Sequence, residues 1–229
     1  MAHSTLIIAE SGTGKSTSIR NLPANETFII NIANKSLPFK GWKSKYKLCT
    51  KDNPKGNIIS TASAAGIIKA MKHVNDKMPH IKNLVIDDWQ YMSSFEYFDR
   101  ANEKGYDKFT QIAASLAAVA KLPKDLRNDL FIFFLTHSEE STDINGNRKV
   151  KAKTIGKMID NTLTLEGLFT IVLFGKVRKN EDNTFTYGFE TQNNGENTCK
   201  SPMDMFEEPF IPNDLQYIKE RIVSYEEND

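Results

Sequence analysis

Near the N-terminus, Ala9-Glu10-Ser11-Gly12-Thr13-Gly14-Lys15-Ser16-Thr17 sets two glycines before a lysine and two consecutive hydroxyls. Gly12 and Gly14 let backbone amides turn inward with no Cβ in the way, and those amides, with the start of the following helix, make a concave positive site for phosphate oxygens. In such a loop Lys15 reaches the β- and γ-phosphates and the Ser16 hydroxyl helps to hold Mg²⁺. The order is that of a Walker A loop in its looser form, with Ala9 where the strict form has glycine. Glu10, Ser11, Gly12, Thr13, Gly14, Lys15, Ser16 and Thr17 are therefore expected to surround the phosphates of a metal nucleotide, ATP with Mg²⁺. The alternative is an incidental glycine-rich turn. An apolar strand before it and a helix after it argue for the phosphate site.

A second cluster supplies the carboxylates. Leu84-Val85-Ile86-Asp87-Asp88 is an apolar strand that delivers two aspartates at its C-terminal end, the end at which open α/β sheets bind ligands. Asp87 is expected to hold Mg²⁺ with Ser16, directly or through water. Asp88 is placed to orient or deprotonate an attacking water, or else simply caps the next helix, where aspartate is favoured. A third apolar strand, Phe131 to Leu135, runs into Thr136-His137-Ser138-Glu139. Thr136 or His137 suits the sensing of a γ-phosphate, and the competing reading is a hydrogen-bonded strand end. Lys15, Asp88, Thr136 and His137 are thus the expected catalytic set. His3, His73 and His80 show no metal-ligand spacing.

These groups need strands to carry them and helices to cover the strands. Apolar, β-branched runs at Thr5–Ala9, Thr27–Ile32, Asn83–Asp88, Asp129–Thr136 and Leu168–Phe174 read as strands, with a short one at Asn57–Ser60. Helical spacing covers Thr61–Asp76, Tyr91–Ala101, Phe109–Lys121 and Thr154–Leu163, while Pro23 closes a helix begun at Lys15. Lys176–Thr191 alternates about Glu181-Asp182-Asn183 and reads as a hairpin; Ser138–Lys153 reads as a polar loop. The alternation of strands and helices predicts an α/β fold, a mostly parallel central sheet flanked by helices with an antiparallel hairpin at one edge. Residues 1–200 are expected to form the core and 201–229 a docked helix with an acidic tail.

Composition narrows the setting. The chain has 229 residues, of which 26% are charged, with a net charge of only +1 that hides a strong asymmetry. Seven lysines face one acid between Lys35 and Lys55, and eight acids face two bases from Met203 to Asp229. A second basic stretch runs from Arg148 to Lys157. This pattern predicts an anionic partner with the tail as its competitor. Within the basic segment 34–56, too long for an ordinary connector, aromatic residues interleave with the lysines. Lys40, Trp42, Lys43, Lys45, Tyr46 and Lys47 are accordingly candidates for single-stranded DNA, with lysines tracking phosphates and rings stacking on bases. Tyr97, Phe98, Tyr106 and Phe109 are a second aromatic group, expected to pack as core. Two isolated cysteines, an N-terminus without a secretory pattern and apolar runs of strand length place the expected location in the cytoplasm, away from membranes.

With these motifs in this order, the chain resembles RecA-type P-loop ATPases of the phage nucleotide-binding group, which includes single-strand annealing ATPases of phage recombination. The resemblance rests on Ala9–Thr17, Leu84–Asp88, Phe131–His137 and Lys153-Thr154-Ile155-Gly156-Lys157, and spans about Ser4 to Thr191. It implies a RecA-like fold, ATP hydrolysis during recombination or replication in a bacterial host, and head-to-tail assembly on single-stranded DNA, with other replication proteins as further partners. It also implies a basic residue reaching into the neighbour's site, for which Lys151, Lys153 and Lys157 are candidates. The chain departs from that pattern at the strand after the phosphate loop. The group carries a catalytic glutamate there, whereas this strand ends Ile30-Asn31-Ile32. Either Asp88 substitutes or turnover is slow. A helicase-loader-like switch and a nucleotide-binding assembly module without turnover are the alternatives.

Overall fold

A computed structural model describes residues 1–142, 146, 148–155 and 164–227. Its strands are β1 (His3–Ala9), β2 (Thr27–Asn31), β3 (Ile58–Ile59), β4 (Asn83–Asp87), β5 (Phe131–Thr142), β6 (Arg148–Ala152), β7 (Ile171–Lys179), β8 (Phe185–Glu190) and β9 (Phe210–Pro212). Among the described residues they form one nine-stranded sheet in the order β3-β2-β4-β5-β1-β7-β8-β9, with β6 paired to β5. From β3 to β7 the neighbours are parallel. β8 and β9 add antiparallel pairs at one edge. The α/β architecture expected from the sequence is the one observed.

Side chains of period two sort the core into two layers. Leu6, Ile8, Phe28, Ile30, Leu84, Ile86, Ile132 and Phe134 face one side, under α2 (Ala64–Lys77), α3 (Gln90–Asp99) and α4 (Asp107–Lys121); α1 is the short turn Trp42–Lys45. Ile7, Ile29, Val85, Phe133, Leu135 and Leu173 face the other side, where they meet Ile19, Tyr46 and the helix α5 (Leu215–Glu227) through Leu215, Ile218 and Ile222. The segment after residue 200 thus supplies both a sheet strand and part of the second layer.

Three expectations from the sequence change. The helix after the phosphate loop is a 3₁₀ stretch, Ser16–Asn21. Pro23 forces Leu22 into extended backbone, and the Ser18 hydroxyl turns back on the Lys15 carbonyl at 2.6 Å, so the helix stays short. Within the stretch expected to be a loop, Ser138–Thr142 and Arg148–Ala152 are paired antiparallel strands: β5 runs on past Thr136, and Lys151 Nζ lies 3.3 Å from Glu139 Oε1 across the pair. The aromatic group on α3 and α4 is not all core, since Phe98 and Tyr106 are 69% and 74% exposed. The expected helix Thr154–Leu163 falls largely on residues 156–163, outside the described residues.

Arg127 joins α2 to the sheet. Its guanidinium donates to the carbonyls of Val74 (2.8 Å), Asn75 (2.9 Å) and Ile81 and to Asp129 Oδ1 (2.8 Å). It caps the last turn of α2 with the charge that a helix C-terminus favours. Arg127→Ala is expected to lower unfolding stability by about 2–3 kcal/mol, because several charge-assisted bonds to half-buried carbonyls go together. Urea denaturation checks this, and an unchanged midpoint would exclude the capping role.

Candidate active site

β1 delivers Ala9 to the C-terminal edge of the sheet, and the loop turns there through Gly12 (φ +82°) and Gly14 (φ +88°). Left-handed backbone at both positions is where glycine carries no penalty. Behind them Lys15 is buried, with 6% of its surface exposed. β5 lies between β1 and β4, so the phosphate loop and the two aspartates face each other across one strand's width.

Ser16 Oγ donates to Asp87 Oδ1 at 2.8 Å. A hydroxyl and a carboxylate oxygen in contact are hard ligands of the kind Mg²⁺ takes, one or two from protein while water and phosphate supply the rest. No group of three or more acidic, histidine or cysteine ligands occurs among the described residues, so any cation would need those outside ligands. The residues present fit a metal nucleotide. Burial is the main influence on Asp87 and raises its pKa, with Asp88 adding to the effect and Lys15 opposing it.

Asp88 is the hub. Lys15 Nζ lies 2.6 Å from its Oδ1, Lys35 Nζ 2.5 Å from its Oδ2, and His137 Nε2 3.4 Å from Oδ1. Burial disfavours its charge, but the hydrogen bond from His137 and the charges and hydrogen bonds of the two lysines outweigh it and hold the carboxyl far below the usual range. Its φ of +59° is left-handed for a non-glycine residue, a conformation that aspartate tolerates at some cost. Trp89 fixes the bend: fully buried against Phe134 and Phe169, it donates its backbone N–H to the Leu135 carbonyl at 2.8 Å. The capping alternative fails, because α3 starts at Gln90 without a side-chain cap.

Thr136 and His137 divide their tasks. Thr136 is buried, with its hydroxyl 3.4 Å from Gln90 Oε1. The same Gln90 oxygen accepts from the His137 backbone N–H at 3.1 Å. His137 alone of the two lines the cavity. Asn31, standing where a glutamate was expected, turns its amide on the backbone of Lys35, donating to its carbonyl at 2.6 Å and accepting from its N–H at 3.2 Å. It therefore positions Lys35 and is engaged on both its polar atoms.

The cavity measures about 520 Å³, and Asp88, Lys35, His137, Lys15, Tyr187 and Asn213 are among the residues that line it. Sequence reasoning missed Lys35, Gln90, Tyr187 and Asn213. Lys35 was one lysine among seven; the signal that could have marked it is its place just beyond the C-terminal end of β2.

The other candidates lie apart. Lys151 is paired with Glu139 within the chain. Lys153 is exposed and donates its backbone N–H to the His137 carbonyl at 2.8 Å. Lys157 falls outside the described residues. In the basic segment Lys40, Lys43, Lys45 and Lys47 are exposed. Tyr46 is not free to stack on a base: it is 3% exposed in the second core layer, edge-on to Phe39. Trp42 is half-buried against the same layer. The rings anchor the segment, and only the lysines present themselves outward.

The sequence model of a family described as AAA domain matches residues 1–203. No curated protein matches the chain. With the match covering most of its length, the chain belongs to the AAA domain family. No described helix is long and apolar enough to cross a membrane.

Proposed function

We propose that this AAA-domain chain is a slow, partner-stimulated ATPase that takes Mg²⁺–ATP at the phosphate loop and acts on single-stranded DNA during recombination or replication. The observation that carries the reading is the convergence of Lys15, Lys35 and His137 on the one buried carboxylate of Asp88, at the head of the cavity. Three cationic or donor groups about one carboxylate are arranged as they would be about a phosphoryl group. Binding of a triphosphate transfers Lys15 and Lys35 from Asp88 to phosphate oxygens and leaves the carboxylate to orient water. Mg²⁺, held by Ser16 and Asp87, supplies charge neutralisation at the phosphates when bound. Lys35 provides in cis a cation of the kind that Lys151, Lys153 and Lys157 were expected to provide from a neighbour, although assembly into a ring or filament remains part of the proposal.

Asn31, where a glutamate was expected, is committed to Lys35 on both its polar atoms. That favours slow turnover, so a nucleotide-gated module without hydrolysis is the second reading.

Phosphate release with and without single-stranded DNA tests both. The expected result is stimulation of at least ~10-fold at low salt. Contacts by the four exposed lysines predict that DNA affinity falls with salt with a log–log slope of about −3. Release unaffected by DNA removes the partner from the proposal, and no release under any condition leaves the module.

A further inference from the structure

Two of the three groups on Asp88 also meet a ring that is not among the residues lining the cavity, Tyr91. Tyr91 lies in the first turn of α3, where its backbone N–H donates to the Asp88 carbonyl at 3.0 Å. The helix is thereby tied to the left-handed bend. Lys35 Nζ lies 5.7 Å from the Tyr91 ring centroid. The His137 imidazole meets the same ring edge to face, with centroids 6.1 Å apart at 71°. Tyr91 in turn stacks on Phe95, one helical turn further along, with centroids 5.4 Å apart at 21°. Lys35 needs such support. Asn31 fixes only its backbone, and 59% of its side chain is exposed, so ordering the long stem costs conformational entropy. A π-face within about 6 Å attracts a cation without taking up its hydrogen-bond donors. It confines the ammonium beside Asp88 and leaves its N–H groups for an oxygen acceptor.

We infer that Tyr91 is a positioning residue for the terminal phosphate of ATP: its ring is the shelf that keeps Lys35 and His137 together while the acceptor of Lys35 changes from Asp88 to phosphate. The inference rests on the function proposed above, in which Lys35 passes from Asp88 to a phosphate oxygen. The lysine of a phosphate loop serves both β- and γ-phosphates. Lys35 stands outside that loop and is left for the terminal one, so Tyr91 acts on the triphosphate and leaves the diphosphate untouched. Both contacts are to the ring, which assigns the role to the aromatic face rather than to the hydroxyl. Phe95 holds the plane of that ring from within the same helix.

The test is equilibrium binding of ATP and of ADP, each with Mg²⁺, which reads the terminal phosphate whether or not turnover follows. It compares the native chain with Tyr91→Leu, Tyr91→Phe, Lys35→Met and the double variant Tyr91→Leu/Lys35→Met. Circular dichroism checks that Tyr91→Leu folds, and Tyr91→Met is the second variant for the same comparison. The expected result is that the native chain prefers ATP and that Tyr91→Leu lowers ATP affinity by roughly 3- to 10-fold, the range of a cation–π contact, with ADP affinity unchanged. Tyr91→Phe should keep the native preference. In the Lys35→Met background Tyr91→Leu should cost little more, because the two residues act as one unit. Equal losses for ATP and ADP in Tyr91→Leu would overturn the inference by making the ring a structural support only. So would a loss in Tyr91→Phe as large as in Tyr91→Leu, or full additivity with Lys35→Met. A native chain that binds ATP and ADP equally well also overturns it and leaves the phosphate loop standing. Native protein that binds neither nucleotide overturns the phosphate-loop reading itself.

Discussion

Lys15→Ala is expected to reduce nucleotide-dependent phosphate release by at least ~100-fold, the scale seen when a donor to transition-state charge is removed. It is also expected to destabilise the nucleotide-free protein by about 3 kcal/mol, the scale for breaking a buried ion pair by removing one partner. The second effect follows from Asp88. Its carboxylate is 1% exposed, and Lys15 is the buried cation against it, at 2.6 Å. Lys35 approaches from the solvent side, with 59% of its side chain exposed, and water can replace it more readily. Asp88→Asn in the Lys15→Ala background removes the uncompensated charge. The double variant should therefore recover about 2 kcal/mol of the stability lost, while its phosphate release stays abolished. Phosphate release and denaturant unfolding of the two single variants and the double variant give both numbers. Release that survives in Lys15→Ala would end the assignment of the phosphate loop. Additive stabilities would mean that Lys15 and Asp88 are neighbours without a shared energy.

The parts of this site that were legible in the sequence are the local ones. Gly12, Gly14, Lys15 and Ser16 are adjacent along the chain, and the run Leu84–Asp88 announces both its strand and the end at which its carboxylates emerge. The alternation within β1, β2, β4 and β5 likewise shows in the sequence as unbroken apolar runs, the pattern of strands covered on both faces. The illegible parts depend on contacts between distant segments. Lys35 is chosen from seven similar lysines only because Asn31 holds its backbone and Asp88 lies opposite. Tyr187 and Asn213 meet Gly14 through the pairing of β8 with β9, which no spacing reveals. Tyr46 was misread for a related reason. A ring among lysines looks like a nucleic-acid contact until the fold shows that the lysines point outward because the ring points inward.

Asp87→Asn should separate stability from activity. In the nucleotide-free protein Asp87 is buried, and burial raises its pKa despite Lys15 at 3.7 Å. An acid whose folded pKa lies above its unfolded value weakens the fold at neutral pH. That penalty fades as pH falls through the folded value toward about 4, the ordinary carboxylate pKa. Asp88, held far below the usual range, acts in the opposite sense: its contribution is present above about pH 4 and is lost only in stronger acid. Asparagine at position 87 keeps the shape and can still meet the Ser16 hydroxyl, but it carries no charge to bury. Metal-free Asp87→Asn should therefore be more stable than the native chain at pH 7, by about 1 kcal/mol, the usual gain from relieving a functional site. The difference should shrink as pH falls toward 4. The same change removes the anionic ligand beside Ser16, so Mg²⁺-dependent phosphate release should drop by at least ~100-fold, comparable to losing a main electrostatic contributor. Thermal unfolding without metal from pH 4 to 7, beside phosphate release over a Mg²⁺ titration, measures both arms. A variant less stable than the native chain at neutral pH would mean that Asp87 is held by its partners rather than strained by burial. Release that returns in full at high Mg²⁺ would place the metal on other ligands.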